Sequence, residues 1–248
     1  MDYRILGPVM AGPPGSAESV PGTLQRTLLA VLLLNEGHAL HFDALIEELW
    51  GVELPARPRE ALTAQVARLR RTLERREPGI AGRLRQRSHG YRLDVGDDEL
   101  DAASFRRLRT DARRTEDPWR ASFLLNRALA LWSGPALADV RHGPITRAAV
   151  EQLEDARRQV HAALIQVDLD TGRADRVVED IELLIARYPL HEPFYDQLMR
   201  ALCDLGRPAE AVGVYHRARG RLLRDLGVEP SPALQRRLHT TLSADRSA

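Results

Sequence analysis

Most of this chain keeps its apolar residues at helical spacing, and only the first hundred residues break from that pattern. Met1–Val9 alternates, with Tyr3 and Ile5 against Asp2 and Arg4, and ends at Gly7-Pro8, as a short strand does. Ala11–Gly22 is rich in Pro, Gly and Ser and reads as loop, with room for another short strand around Ser19–Val20. Thr23–Glu36 is dense in leucine and stops at Gly37, which predicts a buried helix with a glycine C-cap. Asp43–Trp50 follows as a shorter helix, with Leu45, Ile46 and Leu49 on its apolar side. His41-Phe42 before it is a weak N-cap.

A third helix is predicted over Arg59–Arg75. Leu62, Val66, Leu69 and Leu73 fall on one face. Rotation of about 100° per residue puts Glu60, Ala64, Ala67, Arg68, Arg71 and Arg75 opposite, with Thr63 and Arg70 on a flank. After Pro78-Gly79, Leu84–Arg87 and Tyr91–Val95 alternate around Ser88-His89-Gly90, a β-hairpin with glycine at its bend. Gly96–Asp101 is short and acidic and reads as a solvated linker, so a domain boundary is expected at about residue 97, dividing 1–96 from 97–248.

From Ala102 onward the pattern is helical, with Trp119–Trp132 as one helix and Ala233–Leu242 as the last. Gly172-Arg173 and Gly206-Arg207 lie 34 residues apart. The same shift brings Val177 onto Ala211, Val178 onto Val212, Ile181 onto Tyr215 and Leu184 onto Ala218. Thirty-four residues is the tetratricopeptide repeat length, and Asp196–Arg224 is its clearest copy. The fold class is therefore mainly α, with small β-hairpins at the front and a tetratricopeptide-like helical stack behind.

Charge changes this picture sharply. The net charge is +1, yet Pro55–Leu93 holds eleven arginines against Glu60, Glu74 and Glu77. A basic segment thus sits on an acidic body, and phosphate backbones reward such local density because each paired phosphate releases counterions. A solvated charged face is the plainer reading of any charge run. Here, however, the arginines fall on one amphipathic helix and the hairpin after it, the layout of a winged helix. All 36 basic residues are arginine, a habit that GC-rich coding also produces. Small alanines beside arginines on an exposed helix face suit a major groove, where arginine reads guanine. Thr63, Ala64, Ala67, Arg68 and Arg71 are the candidates for base edges. Arg59, Arg70, Arg75, Arg87, His89 and Arg92 are candidates for phosphates or the flanking minor groove, and Arg26 for the backbone.

Other chemistry is hard to find in the sequence. There is no lysine for a phosphate-cradling loop, no Gly-x-Ser-x-Gly elbow and no Cys/His cluster with zinc spacing. Glu47-Glu48 and Asp97-Asp98 read as surface neighbours and not as a facing acid/base pair. No catalytic, cofactor-binding or metal-ligating residue is expected. The single cysteine, Cys203, suits a reducing compartment. No apolar run approaches a membrane span and Met1–Val9 lacks the pattern of a signal peptide, so a cytoplasmic, nucleoid-associated protein is expected.

Several strings together resemble the Streptomyces antibiotic regulatory proteins. They are Leu6-Gly7-Pro8, Gln25–Leu33, Leu45-Ile46 with Leu49-Trp50-Gly51, Val66–Arg71, His89-Gly90-Tyr91 and the closing Asp225–Leu234. The resemblance covers nearly the whole chain. It implies an OmpR-type winged helix followed by a bacterial transcriptional activation domain, in an activator of secondary-metabolite genes. It also implies direct-repeat sites near the −35 region of a promoter, a homodimer on DNA, and contact with RNA polymerase including its sigma factor. Thr63, Gln65 and Ala67 depart from the residues usual in the family along the third helix, so base preference does not carry over. Larger relatives append a nucleotide-hydrolysing module, which is not expected here, and nor is a receiver domain. Two other readings stay open on sequence alone: an adaptor whose winged helix no longer binds DNA, and a regulator gated by a small molecule.

Overall fold

The computed structural model describes residues 1–35, 37–96 and 98–245. The expected helix end at Glu36 and the expected boundary at Asp97 lie outside the described residues. The chain forms two compact units, Met1–Asp111 with Arg127–Arg158, and Ala112–Asn126 with Gln159–Ala248.

The first unit opens with an antiparallel sheet of β1 (Asp2–Arg4), β2 (Met10–Gly12) and β3 (Glu18–Ser19), in that order. One alternating segment was expected over Met1–Val9, but β1 stops at Arg4. The next two amides, of Ile5 and Leu6, donate to the Asp101 carboxylate at 3.0 and 2.9 Å instead of to a neighbouring strand. Helix α1 (Thr23–Leu34) buries every residue from Thr27 to Leu33, which accounts for its run of leucines. Helix α2 (Phe42–Trp50) is capped by His41, whose Nδ1 accepts the Asp43 amide at a long 3.5 Å. Helix α3 (Pro58–Arg76) begins on a proline, whose fixed φ and missing N–H suit the first turn.

The hairpin pairs β5 (Leu84–Arg87) with β6 (Gly90–Leu93). An unexpected third strand, β4 (Leu40–His41), lies on the far side of β6. A Cβ on Gly90 would stand 1.7 Å from the Leu40 carbonyl oxygen, so the pairing of β4 with β6 requires glycine there.

Residues beyond the hairpin complete the first unit through buried polar contacts. Helix α4 starts at Asp101 and runs to Arg114, α5 spans Pro118–Leu129, and α6 spans Pro144–Asp170. Glu48 on α2 is only 2% exposed. Its carboxylate accepts the amides of Gly143, Ile145 and Thr146 at 3.2, 2.8 and 3.0 Å, together with the Thr146 hydroxyl. It thus caps the start of α6, where helical amides have no partner of their own. The expectation of a surface Glu47-Glu48 pair is corrected at Glu48, because this tertiary partner lies nearly a hundred residues away. The solvated acidic linker is corrected too. Asp101 is buried, and Glu99 accepts from the Met1 ammonium (3.1 Å), Arg83 (2.5 Å) and the Gly96 amide (2.6 Å). Asp139 accepts the Val9 amide at 2.8 Å and pairs with Arg26 at 3.0 Å. Phe105 meets Trp132 edge-on at 5.4 Å, and the Arg157 guanidinium lies 4.5 Å over that indole.

The second unit is helical throughout its described residues, with α7 (Ala174–Arg187), α8 (Glu192–Asp204), α9 (Pro208–Leu226) and α10 (Pro232–Asp245). The 34-residue period is visible in its bends. Gly172 and Gly206 sit at φ +73° and +71°, each ending one helix of a pair, and Arg173 and Arg207 then open α7 and α9. Val177 and Ala211, Ile181 and Tyr215, and Leu184 and Ala218 are all buried, as their equivalence requires. Their core is closed by Phe194, Leu198, Leu202 and Leu234. The closing loop is pinned by a two-pronged Arg219–Glu229 pair at 2.6 Å and by the Ser231 amide on Glu192 at 2.8 Å.

Candidate nucleic-acid interface

Helix α3 lays Leu62, Val66, Leu69, Thr72 and Leu73 into the core of the first unit. The opposite face, with Arg59, Glu60, Thr63, Ala64, Ala67, Arg68, Arg71 and Arg75, is exposed. This is the face that the apolar spacing predicts. A helix of 19 residues is about 28 Å long, and its two alanines leave the backbone approachable between flanking guanidiniums.

The eleven arginines of the basic segment divide into two groups by their partners. Most are held within the protein. Arg57 pairs with Glu60 at 3.2 Å, and Arg59 pairs with Asp43 at 3.3 Å while lying 5.1 Å over the Phe42 ring. Arg70 donates twice to the Leu84 carbonyl, at 3.0 and 2.7 Å, fastening α3 to the first strand of the wing. Arg76 donates to the carbonyls of Ala11, Glu18 and Ser19, and burial lowers its pKa. Arg83 pairs with Glu99, while Arg85 and Arg92 share Asp94 at 3.3 and 2.6 Å. Among the described residues, the side chains of Arg68, Arg71 and Arg87 make no hydrogen bond or ion pair, and Arg75 reaches only the carbonyl of Arg71, at 3.3 Å. Within the basic segment, the exposed guanidiniums with no carboxylate partner therefore lie along the stripe of α3 and at the tip of the wing, while those of Arg70 and Arg76 are folded onto backbone carbonyls.

The other candidates are placed as follows. Thr63 returns its hydroxyl to the Arg59 carbonyl at 2.9 Å. His89 is exposed at the wing tip, its ring stacked on His41 at 5.9 Å and its carbonyl accepting the Phe42 amide at 2.9 Å. Arg26 lies apart from this surface in its bonding. Its guanidinium is divided among Asp139, the Val20 carbonyl and the Thr23 hydroxyl.

Sequence reasoning missed the internal counter-ions. Asp94 had a signal: it stands two residues from Arg92, and strand periodicity puts both on one face. Asp43 had none, because its contact with Arg59 is made by the fold. Gln25 was also missed; its Oε1 accepts the hydroxyl of buried Thr72 at 3.0 Å.

This geometry, a leucine-rich support helix, a short second helix, an arginine-faced third helix and a basic wing, agrees with the comparisons. The profile of the transcriptional regulatory protein C-terminal family matches residues 21–93, and that of the bacterial transcriptional activator domain matches residues 100–242. The transcriptional regulator RedD of Streptomyces coelicolor is 36% identical over 99% of this chain and 71% of its own length. The regulatory protein DnrI of Streptomyces peucetius is 34% identical over 99% of this chain and 93% of its own. The chain belongs to the Streptomyces antibiotic regulatory protein family. A solved structure of Mycobacterium tuberculosis EmbR, in complex with a low-affinity phosphopeptide, superposes with a TM-score of 0.91 at 29% identity. It covers 98% of this chain, which spans 65% of that one. The family fixes the general role: this is a transcriptional regulator that joins a DNA-binding winged helix to an activator domain. Among the described residues no group of His, Cys, Asp and Glu is arranged to hold a metal ion, and no helix is long and apolar enough to cross a membrane.

Proposed function

We propose that the chain is a sequence-specific activator that places α3 in a major groove and the β5–β6 wing against the adjacent backbone. The observation that carries this reading is the division of the arginines. Those held by carboxylates or backbone carbonyls stabilise the winged helix itself, and the exposed ones left over lie on the surface that would meet a duplex. Thr63, Ala64, Ala67 and Arg68 face base edges in this arrangement. Arg71, Arg75, Arg87 and His89 flank them, and Arg59, Arg70 and Arg92 hold the helix and wing in register. Arg26 supports the start of α1 from within.

Kinship with the family supports the finer statements. The operator is a direct repeat near a −35 region, bound by two copies head to tail. The helical unit contacts RNA polymerase and its sigma factor, and the targets are genes of a secondary-metabolite cluster in the bacterial cytoplasm. The function is binding, with no catalytic step. A gel-shift titration tests it. Specific binding to one promoter duplex, falling steeply with salt and lost in the Arg68→Ala/Arg71→Ala double variant, is expected. Equal affinity for promoter and random duplex would instead indicate an adaptor.

A further inference from the structure

Arg68, Arg71 and Arg75, exposed and with no carboxylate partner among the described residues, line one concavity. Arg68, Arg71 and Arg75 are spaced three and four apart on α3, so they form one stripe. Together with Pro21, Gln25, Thr72 and Glu74 they line an open surface hollow of about 460 Å³. Like charges so close repel one another, and the one carboxylate in the lining makes no ion pair with them. Glu74 accepts the amides of Gly79 and Ala81 at 2.8 and 3.0 Å, and those bonds hold its pKa below the usual carboxylate range. Its two oxygens are thereby tied to the turn after α3.

Gln25 completes the pocket. Because Oε1 takes the Thr72 hydroxyl at 3.0 Å, the orientation of the amide is fixed and its NH₂ group is presented outward. Among the described residues that nitrogen has no hydrogen-bond acceptor, and it stands 3.7 Å from where a Cβ of Gly22 would be. Helix α1 starts beside it with no side-chain cap and no acidic residue in its first turn. An amide NH₂ beside the guanidiniums of Arg71 and Arg75 suits a tetrahedral oxyanion.

We infer that this pocket is a clamp for one DNA backbone phosphate, with Gln25 as a direct contact and Thr72 as the residue that positions it. The inference rests on the DNA-binding reading above and sharpens it. Arg71 and Arg75 then hold backbone and contribute to all sequences alike, leaving Arg68, together with Thr63, Ala64 and Ala67, to distinguish bases.

The test uses the full chain and two duplexes of roughly 30 bp: one selected by the wild-type chain from a random pool, and one of random sequence. Gln25→Glu keeps an acceptor for Thr72 but puts a carboxylate where the NH₂ stood. It is expected to weaken both duplexes by about tenfold or more and leave their affinity ratio unchanged. Arg71→Gln and Arg75→Gln should each flatten the log–log salt dependence by about one. Thr72→Val should give a smaller, equally sequence-blind loss. Thermal melts confirm folding, and the two arginine variants, whose side chains are exposed, carry the test if Gln25→Glu does not fold. Unchanged binding in Gln25→Glu, with Arg71→Gln relaxing preference at a single base pair, would overturn the clamp and leave the activator reading intact. A wild-type chain that discriminates between no duplexes would overturn both.

Discussion

A carboxylate that faces three backbone amides and a hydroxyl, with 2% of its surface exposed, cannot exchange those partners for water, and Glu48 is in that position. Glu48→Ala leaves the start of α6 with buried, unpartnered donors, so a loss of about 3 kcal/mol is expected in denaturant titration. Glu48→Gln, which still offers one oxygen, should lose less. Asp101 is buried as well. Burial raises its pKa to about 6 despite the amides of Leu6, Ile5 and Ala102, which favour the ionised form. The folded protein therefore binds more protons than the unfolded chain between about pH 4 and pH 6. The contribution of Asp101 is fully present below that window, declines as pH rises through it, and is flat above it. The stability difference between wild type and Asp101→Asn should accordingly shrink across the window, by no more than about 3 kcal/mol. A difference that grows with pH would show that the three amides outweigh burial.

At the scale of elements, the recognition helix and the wing act as one body because Arg70 bridges them. Arg70→Ala removes two hydrogen bonds to Leu84, so it should lower stability by about 1–2 kcal/mol and weaken DNA binding as the wing loosens. Arg87→Ala, at an unpartnered exposed position, should weaken binding on every sequence without moving the melting temperature. Equal melting shifts in the two variants would contradict this division. These elements were legible in the sequence because their signals are periodic and local. The Leu62, Val66, Leu69 and Leu73 spacing assigns the buried face of α3, and glycines 34 residues apart mark the helix pairs of the second unit. Strand β4 was not legible, since two residues carry no period and only the missing room at Gly90 reveals the pairing. The charges divided in the same way. Which face of α3 holds arginine follows from the helical period. Which arginines are held within the protein depends on Asp43, Glu99 and the carbonyl of Leu84, partners that only the folded chain brings near.

At the scale of the whole molecule, the winged helix does not carry all of its own support. Glu48, Asp101 and Arg26 lie in or beside it, and their partners include Gly143–Thr146, Ile5, Leu6 and Asp139 within the same compact unit. A fragment of residues 1–96 is therefore expected to unfold at lower temperature and less cooperatively than the full chain. A fragment melt matching that of the full chain would show these contacts to be dispensable. The neutral total charge hides the surface that matters, because paired arginines contribute little field while unpaired ones face outward. The most direct test of DNA reading by that surface is a salt titration of binding to a duplex selected from random sequence, beside an unselected duplex. We expect a selected-to-random affinity ratio of about a thousand or more, a steep negative salt slope for both, and a fall of that ratio by roughly 5- to 150-fold in Arg68→Ala. A ratio near one that is unaffected by Arg68→Ala would contradict the assignment of α3 as the reading helix.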